Sequence, residues 1–210
     1  MASIINASSS GSGGIVQTAD ASGVLQLQSN GTTALTTSGA NVTVAGTLTT
    51  AAQSIAKASL PTGSILQVVQ TADTTTRSTS SNYPTDSGWS ASITPTSSTS
   101  KILVLVNWQT WVTVGTGTNS NKIGEYGIWR SGSQLTHTRL SLSPPTGSWV
   151  DMFVPLSLQY LDSPATTSSV TYTMRWGRLS GTYDNNLYMN DATPVGGQMI
   201  STIMMIEVAA

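Results

Sequence analysis

The chain has no cysteine, one phenylalanine and one histidine, and among its 210 residues only eight are Lys or Arg and nine Asp or Glu. The absence of thiols excludes disulfides, thiolate metal centres and a cysteine nucleophile together. Charged residues make up 8 % against roughly 25 % in typical soluble domains, which argues against disorder driven by charge repulsion. The net charge of −1 supplies no attraction to a polyanion, so no nucleic-acid partner is expected. Also missing is any apolar run near the ~18 residues of a membrane-spanning helix. The opening MASIINASSSGSGG lacks the basic start and apolar stretch of a secretory signal. The expectation is a chain made in the cytoplasm, with no membrane insertion, that stays soluble unless an assembly carries it elsewhere.

Hydroxyls dominate what is present: Ser and Thr together number 65, with 19 Gly and 8 Pro, a composition that favours strands and turns over helices. The first 56 residues hold a single charge, Asp20, and no aromatic ring. Side chains this small cannot build a core, so this segment must borrow its order from copies of itself or a larger assembly. Alternation predicts short strands at Val24–Gln28, Thr32–Thr36, Asn41–Val44 and Thr47–Thr49, the first two joined across Ser29-Asn30-Gly31. Each has one thin apolar face. Three copies about a common axis would close those faces against one another and pair their edges. Thr50–Ser59 reads as a short helix or collar that connects this segment to the rest of the chain.

All six Trp, all six Tyr and the Phe lie beyond Leu60. This divides the chain into an extended segment, 1–59, and a globular domain, 60–210. Strands are expected at Ser64–Thr71, Gly88–Thr94, Lys101–Val114, Glu125–Arg130, Gln134–Ser141, Trp149–Leu161, Val170–Arg178 and Met199–Val208, with turns such as Ser143–Gly147 between them. So many strands without a convincing helix predict an all-β fold, a β-sandwich of the jelly-roll kind. Strand parity assigns Ile102, Val104, Val106, Trp108, Val112 and Val114 to one buried face, interrupted by Thr110. Trp111 falls on the opposite face, where a neighbouring subunit is its expected cover. The last strand is apolar on both sides, Ile200, Met204, Ile206 and Val208 against Ile203 and Met205. One side suits the core and the other an interface, and Ile203 and Met205 are the expected trimer contacts.

Three segments, Met1–Leu35, Leu60–Thr71 and Ser92–Trp108, together with Gly127–Leu135, are similar to tail-fibre and other virion proteins of tailed bacteriophages, especially phages of aquatic bacteria. That resemblance implies a homotrimer whose N-terminal segment is embedded in the particle through other virion proteins. It further implies a C-terminal jelly roll of the tumour-necrosis-factor type, with its last strand near the threefold axis; a host-surface glycan or protein is the candidate partner of that head. A tail fibre or attachment component is the leading reading, and a capsid decoration or head-fibre protein the alternative.

Chemistry is sparse. His137 has no evident partners for a catalytic triad or a metal site and reads as a structural or surface residue. Gly11–Gly14 and Gly115–Thr118 match neither phosphate-loop pattern. Asp184 and Asp191 are the carboxylates most worth weighing for glycoside cleavage, but both lie in one turn-rich segment whose spacing does not fix their separation. The Asp and Asn oxygens there do not follow the calcium-loop spacing either. No enzyme activity, cofactor or metal is therefore expected. Tyr183, Asp184, Asn185, Asn186, Tyr188 and Asn190, with Trp111, combine flat apolar rings with amide donors and acceptors and form the candidate receptor or partner surface. A free carbohydrate-binding module remains as a further alternative, one that leaves the thin-cored N-terminal segment unexplained.

Overall fold

In the computed structural model the described residues are 24–29, 32–38, 41–45, 60–114, 122–142, 150–179, 186–191, 196 and 199–210. The strand expected at Thr47–Thr49, the connector at Thr50–Ser59, both glycine runs, the Ser143–Gly147 turn, Tyr183, Asp184 and Asn185 lie outside them. All the regular structure in these residues is β, and antiparallel sheets pack as a jelly-roll-like sandwich. The chain divides into two compact units, Met1–Ser54 and Ile55–Ala210.

In the first unit β1 (Val24–Ser29), β2 (Thr32–Ser38) and β3 (Asn41–Val44) form a meander. Register places Leu27, Leu35 and Val44 in one row and Leu25, Thr37 and Val42 in the next. This single face collects Leu25, Leu27, Leu35, Val42 and Val44, yet Leu25, Leu27 and Val42 stay exposed.

The second unit holds β4 (Ile65–Asp73), β5 (Arg77–Thr79), β6 (Thr85–Ile93), β7 (Lys101–Val114), β8 (Lys122–Arg130), β9 (Ser133–Leu142), β10 (Val150–Asp162), β11 (Val170–Arg178), β12 (Leu187–Met189) and β13 (Ser201–Val208). The larger sheet is organised on β7. One edge of β7 pairs with β10 from Ile102 to Val114. Its other edge pairs first with β13, over Lys101–Asn107, and then with β12, over Thr110–Val112. Outside β13 lies β4, and outside β12 lies β5. The smaller sheet runs β6-β11-β8-β9.

Trp108 is at the centre of the core between the sheets. Trp89 meets it edge-on at 5.4 Å and Tyr126 at 5.2 Å, and Trp176 tilts against it at 5.9 Å. Such edge-to-face pairs add to the burial of large apolar surfaces. Val170, Tyr172, Met174 and Trp176 alternate inward along β11 as parity requires. Thr110, the polar interruption on the inward face of β7, is fully buried and hydrogen-bonded: its hydroxyl donates to the Tyr188 carbonyl at 2.9 Å and sits 2.9 Å from the Tyr126 hydroxyl. The interruption thus satisfies two buried polar groups that an aliphatic residue would leave unpaired.

Candidate functional site

The outer face of the larger sheet is built by the residues that alternate away from this core. Register lines up Val68 of β4, Ile206 of β13, Leu103 of β7 and Leu161 of β10 in one row across four strands. The next row is Gln70, Met204, Leu105 and Gln159, and the one after it Ala72, Thr202, Asn107 and Ser157. Val68 is 54 % and Leu161 51 % exposed, and Ile65 at the sheet's edge 62 %. An all-apolar row, continued by Met204 and Leu105 and flanked by Gln70, Gln159 and the polar row beyond, is the pattern of a covered surface with a polar rim.

The parity of β13 corrects an expectation. Ile203 and Met205 are fully buried against the sandwich core, not available at an interface, and the outward side chains are Thr202, Met204, Ile206 and Val208. Glu207 accounts for the reversal. It lies on the inward side, fully buried, with its carboxylate accepting from the Thr96 amide at 2.6 Å, the Thr96 hydroxyl at 2.7 Å and the Gln67 amide at 2.6 Å. Burial by itself raises the Glu207 pKa, but these donors outweigh it and hold the carboxyl below its ordinary range.

At the far end of the same outer face, Tyr188, Trp111 and Phe153 stand side by side on β12, β7 and β10. The Trp111 ring stacks on Tyr188 at 4.3 Å and faces Phe153 at 6.0 Å. The expected cover from a neighbouring subunit is thus supplied in part by rings of its own sheet. Asn186 is exposed and its amide reaches the Tyr188 hydroxyl at 3.4 Å.

Asn190 departs from its expected place on a receptor surface. It is 3 % exposed, sits at φ 55°, and closes the gap where β7 changes partners. Its backbone amide donates to the Gln109 carbonyl at 3.1 Å, and its side-chain amide donates to the Asp73 carbonyl at 2.8 Å. Its side-chain oxygen accepts from the Ser201 hydroxyl at 2.7 Å, and that hydroxyl in turn accepts from the Gln109 amide at 2.9 Å. These bonds consume all the polarity that had suggested ligand contact. Asp191, the other half of the weighed carboxylate pair, is also buried.

A second cluster, absent from the sequence-derived surface, lies on the outer face of the smaller sheet. Trp129 and Gly127 of β8 point outward there, with Arg175 of β11 and His137 of β9 beside Gly127 in register. Tyr83 is laid over Gly127, where a Cβ would collide with its hydroxyl, and its backbone amide is held by the Arg178 carbonyl at 2.8 Å. The Trp129 indole donates to the Tyr83 hydroxyl at 3.0 Å, which donates to the Gln134 carbonyl oxygen at 2.7 Å; the Gln134 amide is 2.9 Å from His137 Nδ1. Arg175 lies over the Trp129 ring at 4.6 Å. Burial raises the Tyr83 hydroxyl above its ordinary 10. Alternation on β8 and β11 was enough to send Trp129 and Arg175 outward. The placement of Tyr83 has no local pattern that announces it.

No protein-family model matches the chain, and no curated protein does. Among solved structures it is similar to infectious bursal virus-derived T=1 particles, at 11 % identity and a TM-score of 0.28 over 69 % of this chain and 36 % of that one. It is similar also to the infectious bursal disease virus VP2 subviral particle, at 11 % identity and a TM-score of 0.31 over 69 % and 38 %. The chain spans less than two fifths of the length of those proteins, and at TM-scores this low no property of theirs is transferred to it.

Proposed function

We propose that the chain is a non-enzymatic structural subunit of a virus particle, assembled as a homotrimer, and that it serves as a tail-fibre or attachment component. Residues 1–59 dock on other virion proteins, and the sandwich is displayed toward the host surface. The observation that carries this reading is the all-apolar row Val68, Ile206, Leu103 and Leu161 on the outer face of the larger sheet. A chain with so few charges has little else to keep such a face in water, and copies of the same face about a threefold axis cover it without leaving open sheet edges. The one-sided apolar meander of β1, β2 and β3 supports the same conclusion, since Leu25 and Leu27 are also exposed. The phage-like segments at Met1–Leu35, Leu60–Thr71 and Ser92–Trp108 supply the virion context.

Light scattering on the full chain is the direct test. The expected mass is about three times the 21.8 kDa of one chain. Ile206→Asp together with Leu103→Asp is expected to bring it to a single chain with an unchanged far-ultraviolet spectrum. A native chain that is monomeric at micromolar concentration would overturn the proposal.

A further inference from the structure

We propose that the outer face of the smaller sheet is a binding site for an acidic saccharide, with Arg175 pairing the sugar carboxylate and Tyr83, Trp129, Gln134 and His137 meeting the ring and its hydroxyls. The inference rests on the host-attachment role proposed for the chain, and names both the ligand class and the place where it binds.

The argument begins with charge. Arg139 is neutralised by Glu125, whose carboxylate accepts from its Nη2 at 2.7 Å and its Nε at 3.2 Å. The Asp86 carboxylate, opposite Arg175 in register on β6, accepts from the Gly88 amide at 2.8 Å and makes no ion pair with Arg175. Arg175 makes no ion pair among the described residues and lies half-buried over the Trp129 ring. A guanidinium in this setting is partly stripped of water and fixed in plane by the indole, so an incoming carboxylate meets a preorganised donor.

The surroundings select a sugar rather than another anion. Tyr83 and Trp129 offer apolar ring surface with their polar atoms already tied into one hydrogen-bonded chain through Gln134 to His137. Gln134 and His137 are exposed at the end of that chain, as donors and acceptors for hydroxyls. Beyond Trp129 the same sheet continues into an open basin of about 500 Å³, lined by Thr171 and Thr173 of β11 together with Arg130, Thr166 and Ser168. Arg130 is itself committed to Asp162 at 2.8 Å. The face therefore presents one cation without an ion pair among the described residues, aromatic carbon and a floor of hydroxyls. A nucleic acid requires a track of cations for its successive phosphates, and this face does not provide one. A glycan with a carboxylate on one residue per repeat needs a single cation, with aromatic and amide contacts for its neighbours.

The site is preorganised from beneath. Gly127 leaves the notch that receives the Tyr83 hydroxyl, and the Asn82–Tyr83 backbone presses on Gly177, where a side chain would have no space. The aromatic pair is thus set by backbone contacts, which lowers the ordering cost of binding.

The test is titration of the full chain with hexuronate and sialate oligosaccharides, each beside its carboxyl-reduced counterpart, and with single-stranded DNA as a competing polyanion, read by tryptophan fluorescence and calorimetry. At least one acidic oligosaccharide is expected to bind, and carboxyl reduction is expected to weaken it on the order of tenfold. Arg175→Gln should lose the same factor for the acidic form and nothing further for the reduced one. Gln134→Ala, on the exposed surface, should weaken both forms without altering the fold. Failure of every acidic oligosaccharide to bind, equal binding of acidic and reduced forms, or preference for DNA would each overturn the proposal. Light scattering on the same samples separates the two readings: a monomer that binds overturns the assembly alone, and a trimer that does not bind overturns the saccharide site alone.

Discussion

Asn190 shows how much a single side chain can hold when strand pairing is interrupted. Between the stretches of β7 that face β13 and β12, the backbone of Gln109 would have no partner on that edge, and Asn190 and Ser201 supply it. Asn tolerates the left-handed conformation at φ 55° better than most residues. Replacement by Ala removes two side-chain bonds at once and leaves the Asp73 carbonyl and the Ser201 hydroxyl short of a partner. Asn190→Ala is expected to cost about 2–4 kcal/mol in chemical denaturation. Asn190→Gly, which relieves the backbone but not the lost bonds, should recover only a minor part of it. Gly127 is a residue of the opposite kind, important for what it lacks. Gly127→Ala is expected to push Tyr83 off its seat at a cost of about 1–3 kcal/mol, visible as a change in Trp129 fluorescence, since the Trp129 indole donates to the Tyr83 hydroxyl.

Among the elements, β13 is the one whose behaviour depends most on a buried acid. The folded-state pKa of Glu207 lies below its ordinary 4.5, and that of Asp73, on neighbouring β4, below its ordinary 3.8. For Asp73, burial alone would raise the value and is outweighed mainly by the hydrogen bond from Arg77. Both groups therefore add stability that is fully present above those ordinary values and is lost as pH falls through the lower folded-state ones. Thermal denaturation should show a melting temperature that is flat above about pH 5 and falls on acidification, and Glu207→Gln should flatten part of that fall. The same glutamate explains why β13 could not be oriented from its sequence. With apolar side chains on both faces, alternation alone does not say which one turns inward, and the expected choice put Ile203 and Met205 at an interface. That choice fails because Thr96 and Gln67, distant in sequence, satisfy the carboxylate inside. Elements carried by their own alternation were legible: β3, β7 and β11 have the expected bounds, and the parity of β7 put Trp108 in the core. The three-residue strands β5 and β12 were not, because each exists only through pairing, β12 with the end of β7 and β5 with β12. The candidate surface divides the same way. Trp111 and Tyr188 do meet, across β7 and β12, whereas the polarity of Asn190 is spent on the fold.

For the whole molecule, the two outer faces of the sandwich carry different chemistry, an apolar row on the larger sheet and a hydrogen-bonded aromatic cluster on the smaller one. Opposite placement lets one face be covered by sister chains while the other stays open to a ligand, and repetition of a weak saccharide site on a trimer raises its effective affinity without new contacts. The proposed assembly has threefold association in the second unit and particle docking in the first, and truncation separates the two. Every large aromatic side chain lies beyond Leu60, and the compact unit that contains them begins at Ile55. Removal of residues 1–54 is therefore expected to leave the tryptophan fluorescence and the cooperativity of thermal unfolding intact, because the residues of the core around Trp108 all belong to the second unit. The truncated chain should keep the mass ratio of the full one in light scattering, since Val68, Ile206, Leu103 and Leu161 all remain, while it no longer enters particles. A truncated chain that falls to a single copy while the full chain is trimeric would place the association in the β1–β2–β3 meander instead. The apolar row on the larger sheet would then need another occupant.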